Sequence, residues 1–162
     1  MTLSRSTRLA AATSLASAMM LLQFAVIRWS PAELPVRIVL PATVALVPAA
    51  LWPLRHRIGV WIMFVGLAAN LAPIVANGGL MPIEYQTVVN AVGVDRAGFY
   101  EPGAWIKGSK DVLVAPGDGQ LTALGDGIIV RIGPARGFAA SPGDLVIFAG
   151  FLVLVVESSV AW

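Results

Sequence analysis

The sequence predicts an all-α membrane protein with four transmembrane helices and a structured extracytoplasmic segment between the third and fourth. Three observations carry that prediction. The chain of 162 residues is 57% hydrophobic and 12% charged, whereas soluble domains are about 45–50% apolar and about 25% charged. Its mean hydropathy is +0.81. Four charge-poor runs also approach the ~20 residues that a helix needs to cross ~30 Å of hydrocarbon. The connection from Asn77 to Gly143 holds no such run and is rich in Gly, Pro, Asp and Lys. It far exceeds the ~12–15 residues of ordinary loops, so it should carry structure of its own. The whole reads as one membrane domain, 1–162.

The first span is expected at 9–27. Ala16-Ser17-Ala18 has the small-residue form of a cleavage site. The strongest apolar run, Met19 to Ile27, lies after it, so a retained helix is expected rather than a signal peptide. Ala10, Ser14 and Ala18 repeat every four residues and share a face that lets a neighbouring helix approach closely. Gln23 is the strongly polar group of this run and should hydrogen-bond inside the bundle.

The link Arg28 to Pro35 holds Trp29, suited to a membrane interface, and two prolines that end one helix and start the next. The second span is expected at 36–54. It contains Pro41, Pro48 and Pro53, which predict a bent helix whose freed carbonyls are satisfied by neighbours. Arg37 lies close enough to the boundary to snorkel outward. Arg55-His56-Arg57 then forms a cationic link. With Arg5 and Arg8 it gives one side of the membrane four arginines, against two arginines and a glutamate in the Arg28–Arg37 link. The positive-inside rule therefore puts the N-terminus and Arg55–Arg57 in the cytoplasm. His56 reads as a headgroup-level residue, because no triad-like partner accompanies it.

The third span is expected at 58–76. Gly66 and Asn70 lie on one face and favour a close helix contact with an interhelical hydrogen bond. The turn Asn77-Gly78-Gly79-Leu80-Met81-Pro82 follows. Pro82 and Glu84 look like a helix start. Tyr85, Val88, Val89 and Val92 continue at three–four spacing, predicting a short amphipathic helix at about 83–94. Val112-Leu113-Val114 is too short to assign. Leu121 to Leu124 is expected to form one helical turn, and Ile128-Ile129-Val130 to dip into the interface.

Asp118, Asp126 and Asp144 invite a calcium reading. They lack the alternating oxygen ligands and terminal glutamate of an EF-hand loop, and Asp with Gly is ordinary turn chemistry. Ser141-Pro142-Gly143-Asp144 is a helix start. Ser141 serves as N-cap, Pro142 sits at the first helical position, and the Asp144 carboxylate can reach back. The fourth span is expected at 145–162, returning to the cytoplasm. Its acid, Glu157, lies near the inner boundary, where an ion pair with Arg5, Arg8, Arg55 or Arg57 would offset its desolvation.

A set of these features resembles a known family. It comprises Asn70, Asn77-Gly78-Gly79-Leu80-Met81-Pro82, Lys110-Asp111, Leu121-x-x-Leu124-Gly125-Asp126, Pro134, and Ser141-Pro142-Gly143-Asp144 before a final apolar helix. The pattern is similar to that of the bacterial membrane proteins grouped as DUF5317. It covers the C-terminal 60% or so of the chain, and the first two spans agree by hydropathy. The resemblance implies a protein of the bacterial cytoplasmic (inner) membrane and no particular chemistry.

Composition narrows function mainly by exclusion. There is no cysteine and a single histidine, so thiolate or histidine-rich metal sites and thiol catalysis are not expected. No cofactor is expected. The net charge of +2 is dispersed without a basic stripe, so nucleic acid is not an expected partner. No nucleophile elbow, phosphate loop or dinucleotide turn is present, and the sequence leans away from an enzyme. The favoured expectation is a non-catalytic accessory or assembly component. Its partners would be the lipid bilayer and another membrane protein or a second copy of the chain. One alternative is a small carrier or lipid-handling protein using Gln23, Asn70 and Glu157 as a polar path. The other is a membrane-anchored enzyme whose outer segment uses Glu84, Asp95, Lys107, Lys110 or Asp111. The polar and turn residues singled out as structural or functional candidates are Asn70, Asn77, Gly78, Gly79, Met81, Pro82, Asp126, Ser141, Asp144 and Glu157.

Overall fold

The computed structural model describes residues 5–93, 98, 100–131 and 137–160. Four of its helices are long and apolar enough to span a membrane. They are α1 (Arg5–Trp29), α2 (Glu33–Leu51, continued by a 3-10 turn Trp52–Leu54), α3 (Ile58–Ala76) and α5 (Pro142–Val160). Successive spans run antiparallel. On α1 and α2, Thr43 Oγ1 lies 2.8 Å from Gln23 Oε1. From the N-terminal part of α2, Arg37 reaches the turn after α3. Between α3 and α5, Gly59 meets Gly150 and Gly66 meets Gly143. Thr43 also donates to the Val39 and Leu40 carbonyls, in the stretch where Pro41 interrupts the helical ladder.

The α3–α5 contact is the closest in the bundle. A Cβ on Gly66 would sit 2.7 Å from the Gly143 carbonyl oxygen, and one on Gly59 2.6 Å from that of Gly150. Glycines seven apart on both helices therefore let two backbones touch, as small residues do in membrane helix pairs. The core between spans is Leu40, Val44, Val47, Leu51, Val60, Leu67 and Ile74. Met20, Phe24, Ile38, Val65, Phe148 and Val156 point outward and stay exposed. An apolar outer surface beside an apolar core is the pattern of helices solvated by lipid.

The segment between α3 and α5 is not all helical, which corrects the expected fold class. It holds β1 (Met81–Glu84), α4 (Tyr85–Val92), β2 (Asp111–Val114), a 3-10 turn (Thr122–Leu124), β3 (Ile128–Arg131) and β4 (Gly137–Ala140). β1 pairs parallel with β2, Met81 opposite Asp111, and β3 pairs antiparallel with β4. The helix expected at 83–94 begins only at Tyr85. Met81 to Glu84 are a strand because β2, far along the chain, supplies its hydrogen-bond partners: the Met81 N–H donates to the Lys110 carbonyl at 2.9 Å. Position 94 lies outside the described residues. Val112 to Val114 are strand β2, and Ile128 to Val130 are strand β3 rather than an interfacial loop. The helical turn expected at Leu121–Leu124 is the 3-10 turn, entered through Leu121 in the left-handed region at φ 55°.

The last span starts at Pro142 rather than 145. The predicted cap explains it: the Asp144 N–H donates to Ser141 Oγ at 3.0 Å and the Ser141 N–H donates back to Asp144 Oδ2 at 3.1 Å. This reciprocal pair satisfies two amides that the helix itself cannot. Residues 161–162 lie outside the described residues.

Candidate functional site

The turn Asn77–Pro82 is the hub that seats the mixed segment between α3 and α5, the outer cap, on the bundle. The Asn77 side chain donates to the Pro73 carbonyl (2.8 Å) and the Gln120 carbonyl (2.7 Å), and its Oδ1 accepts from the Gln120 N–H (3.1 Å). Gly78 and Gly79 have φ of 70° and 94°, a conformation that glycine adopts without steric cost. The Gly78 carbonyl accepts from Arg37 Nη1 at 2.6 Å. Gly79 lies directly against the Arg37 backbone, where a side chain has no room. Pro41 removes the amide that would have bonded the Arg37 carbonyl, so that carbonyl is free at the point where Gly79 arrives. Arg37 is also held by Glu33 at 2.8 Å. Pro82 accepts from the Asp126 N–H at 3.1 Å. Leu80, Met81 and Pro82 are fully buried beneath this junction.

A buried polar cluster grows from that hub. Asn70 on α3 donates to Asp144 Oδ1 at 2.7 Å and accepts from Ser141 Oγ at 2.7 Å. The other Asp144 oxygen and Asp126 Oδ1 each lie 3.2 Å from Lys110 Nζ. Asp111, next in sequence, accepts from the Ser109 hydroxyl through Oδ2. One ammonium therefore faces three carboxyls drawn from β2, the 125–127 turn and α5. Asp111 and Asp126 are 8% and 2% exposed, deep enough that a charge requires a partner.

The electrostatics follow from that count. Burial works against the Lys110 charge, but Asp126, Asp144 and Asp111 outweigh it and raise its pKa. Lys110 is thus a fixed cation, unsuited to act as nucleophile or base at neutral pH. Burial raises Asp111 against the pull of Lys110 and Ser109. Burial and the neighbouring Asp111 charge push Asp126 up to about 8, Lys110 opposing. The two carboxyls are within hydrogen-bonding reach of each other; Asp111 Oδ1 accepts no hydrogen bond from the described residues, whereas Asp126 Oδ1 has the Lys110 ammonium 3.2 Å away.

The pair borders a cleft of about 540 Å³. Ile83, Val88, Tyr100, Ile106 and Phe138 supply apolar wall, and Ser109, Lys110, Asp111 and Asp126 its polar end. A second cleft of about 520 Å³, holding Glu84 and Thr122, lies against Asp126 as well. Among the described residues no group of three His, Cys, Asp or Glu side chains is placed to hold a metal ion, and Asp118 is exposed.

Several expected sites are drawn apart. Gln23 is occupied with Thr43, while Asn70 joins the cap cluster. Glu157 lies at the opposite end of α3 from Asn70, about 17 Å away at 1.5 Å per residue. The three do not form one path. The expected ion pair of Glu157 with Arg55 or Arg57 is also corrected. Its carboxylate accepts from the Ile58 and Gly59 amides at 3.0 and 3.2 Å, and Arg57 Nη1 donates to the Glu157 carbonyl at 2.8 Å. The free amides of a helix start attract an anion more directly than a flexible guanidinium does. The Arg5 and Arg8 side chains and Asp95 lie outside the described residues. Lys107 and His56 are exposed, and Ala10, Ser14 and Ala18 face away from the bundle. Ser109 is the cluster member with no sequence signal beyond its place beside Lys110-Asp111.

The chain belongs to a family of unknown function, DUF5317, whose model matches residues 1–156. No curated protein and no solved structure matches it.

Proposed function

We propose that this member of the DUF5317 family is a non-catalytic accessory component of the bacterial cytoplasmic membrane that holds an amphiphilic ligand in its outer cap. The single observation that carries the reading is the cleft of about 540 Å³ with apolar walls and one polar end. Ligand sites are concave, mostly apolar and oriented by a few polar groups, and this cleft has that composition. The non-catalytic half rests on Lys110, whose ammonium is bound on two sides by carboxylates 3.2 Å away. Topology follows the positive-inside rule: the Arg55-His56-Arg57 link and both termini face the cytoplasm, and the cap faces outward. The bilayer is then the source of the ligand.

The test is native mass spectrometry of the protein released from detergent after incubation with a single-chain C12 alcohol. Saturable one-to-one binding, reduced at least ~10-fold by Ala139→Trp in the cleft wall, is expected from one methylene-rich chain leaving water at ~0.8 kcal/mol per buried CH₂. Unsaturable adducts, unchanged by Ala139→Trp in a variant with wild-type melting, would exclude the cleft as the site.

A further inference from the structure

The end of α1 that meets the cap carries cations without a counter-ion. Arg28 lies in the last turn of α1. Its Nη1 comes to 3.8 Å from where a Cβ on Gly108 would sit, so the guanidinium lies against the turn from Trp105 to Lys110. That turn is held in place. The Trp105 indole N–H donates to the Ser109 carbonyl at 2.8 Å, and the Ser109 N–H donates to the Ile106 carbonyl at 2.9 Å. Trp105 packs with Val26 and Ile27 of α1 against buried Val36, Leu80 and Val112, which seats the turn on the ends of α1 and α2. Lys107, exposed, immediately precedes Gly108. Its Cα is about 3.8 Å from that of Gly108, and its flexible four-carbon stem lets the ammonium reach the space beside the guanidinium. Among the described residues neither cation has a carboxylate partner: Glu33 pairs with Arg37, and Asp126 and Asp144 pair with Lys110. Two like charges on facing elements repel until an anion sits between them.

The surroundings say which anion. Arg28 stands at the end of a helix long and apolar enough to span a membrane. Trp29 beside it is exposed, and its ring meets Phe24 edge-on at 6.0 Å. Tryptophan at a span's end sits among headgroups. Phe24 and Leu21 lie four and seven residues before Arg28, on the same helical face, and both are exposed. The guanidinium therefore tops an apolar stripe that runs along the span. A phosphate on an acyl chain matches both parts. Arginine offers phosphate a planar fork of donors and lysine adds a point charge. A choline headgroup brings its own cation to the same place and gains less.

We infer that Arg28 and Lys107 clamp the phosphate of an anionic phospholipid at the cap end of the bundle, with an acyl chain lying along Phe24 and Leu21. This site goes beyond the ligand-holding cleft, whose lining includes neither cation.

The experiment uses the full chain in nanodiscs of equal parts phosphatidylglycerol and phosphatidylcholine with matched acyl chains. Native mass spectrometry reads which lipid stays on the protein after release. The expected result is one retained phosphatidylglycerol, preferred at least ~10-fold, the equivalent of one charge-assisted hydrogen bond. Arg28→Gln should reduce that preference at least ~5-fold. Lys107→Glu should do the same, because it brings a carboxylate to the guanidinium. Both residues are exposed, so both variants should melt as the wild type does; if one does not, the other carries the test. Arg55→Gln, in the link at the opposite end of the bundle, should leave the preference unchanged. Glycerophosphoglycerol, the same head without chains, should fail to displace the lipid even in large excess. Retention without preference, or a preference that survives both cap-end variants, overturns the inference. A preference lost only in Arg55→Gln overturns it too and moves the lipid to the arginine link. Displacement by glycerophosphoglycerol overturns the lipid and assigns the cations to a soluble phosphate.

Discussion

At the residue scale the cap is held by charges whose balance depends on pH. Asp126 has a folded-state pKa pushed up to about 8 against an ordinary value of 3.8. The folded chain therefore binds more protons at this site than the unfolded chain between those values. Its contribution to stability is most favourable below pH 3.8 and is lost as pH rises toward 8. Melting temperature should fall between pH 5 and pH 8.5 in the wild type, and Asp126→Asn should flatten that fall. A curve that keeps its slope in the variant would assign the dependence to another group. Lys110→Met leaves three carboxyls in one buried space. Removing one partner of a buried ion pair costs about 3–5 kcal/mol, so limited proteolysis should open the 100–131 region in this variant before it cuts the wild type.

At the element scale, α3 and α5 are the pair on which the bundle depends. Gly59, Gly66, Gly143 and Gly150 bring their backbones into contact, and Asn70 and Glu157 tie the two ends. Gly66→Leu must push the helices apart, at about 1–3 kcal/mol for overpacking. Gly127→Ala has open space around its Cβ and should match the wild type in a detergent melting assay. Glu157→Ala uncovers the first amides of α3 and should cost about 1 kcal/mol, in the range of helix N-caps. A melting temperature unchanged in Glu157→Ala would mean that water serves those amides equally well. Much of this pair was legible in sequence. Gly66 and Asn70 share a helical face and predict a close contact with an interhelical hydrogen bond across it. The partner on α5 was not legible, because which helix meets that face depends on how the four spans assemble.

At the scale of the whole molecule, cap and arginine link lie at opposite ends of the bundle. Because the chain has no cysteine, a single introduced thiol reports its own side. Cysteine replacing the exposed Lys107 should react with an impermeant maleimide on intact cells, and cysteine replacing the exposed His56 only after lysis. Labelling of both positions on intact cells would refute the arrangement.

Hydropathy alone determined the four helices long and apolar enough to span a membrane, because a run of ~20 apolar residues has no better solvent than lipid. Local chemistry alone determined the Ser141–Asp144 cap, since its two partners lie three residues apart. Only the tertiary structure decided that Met81–Glu84 is a strand, that Lys110 gathers Asp111, Asp126 and Asp144, and that Glu157 caps α3 instead of pairing with Arg55 or Arg57. Each of those outcomes depends on a partner distant in the chain. A sequence states which groups need a partner; where several distant groups could serve, packing alone selects among them.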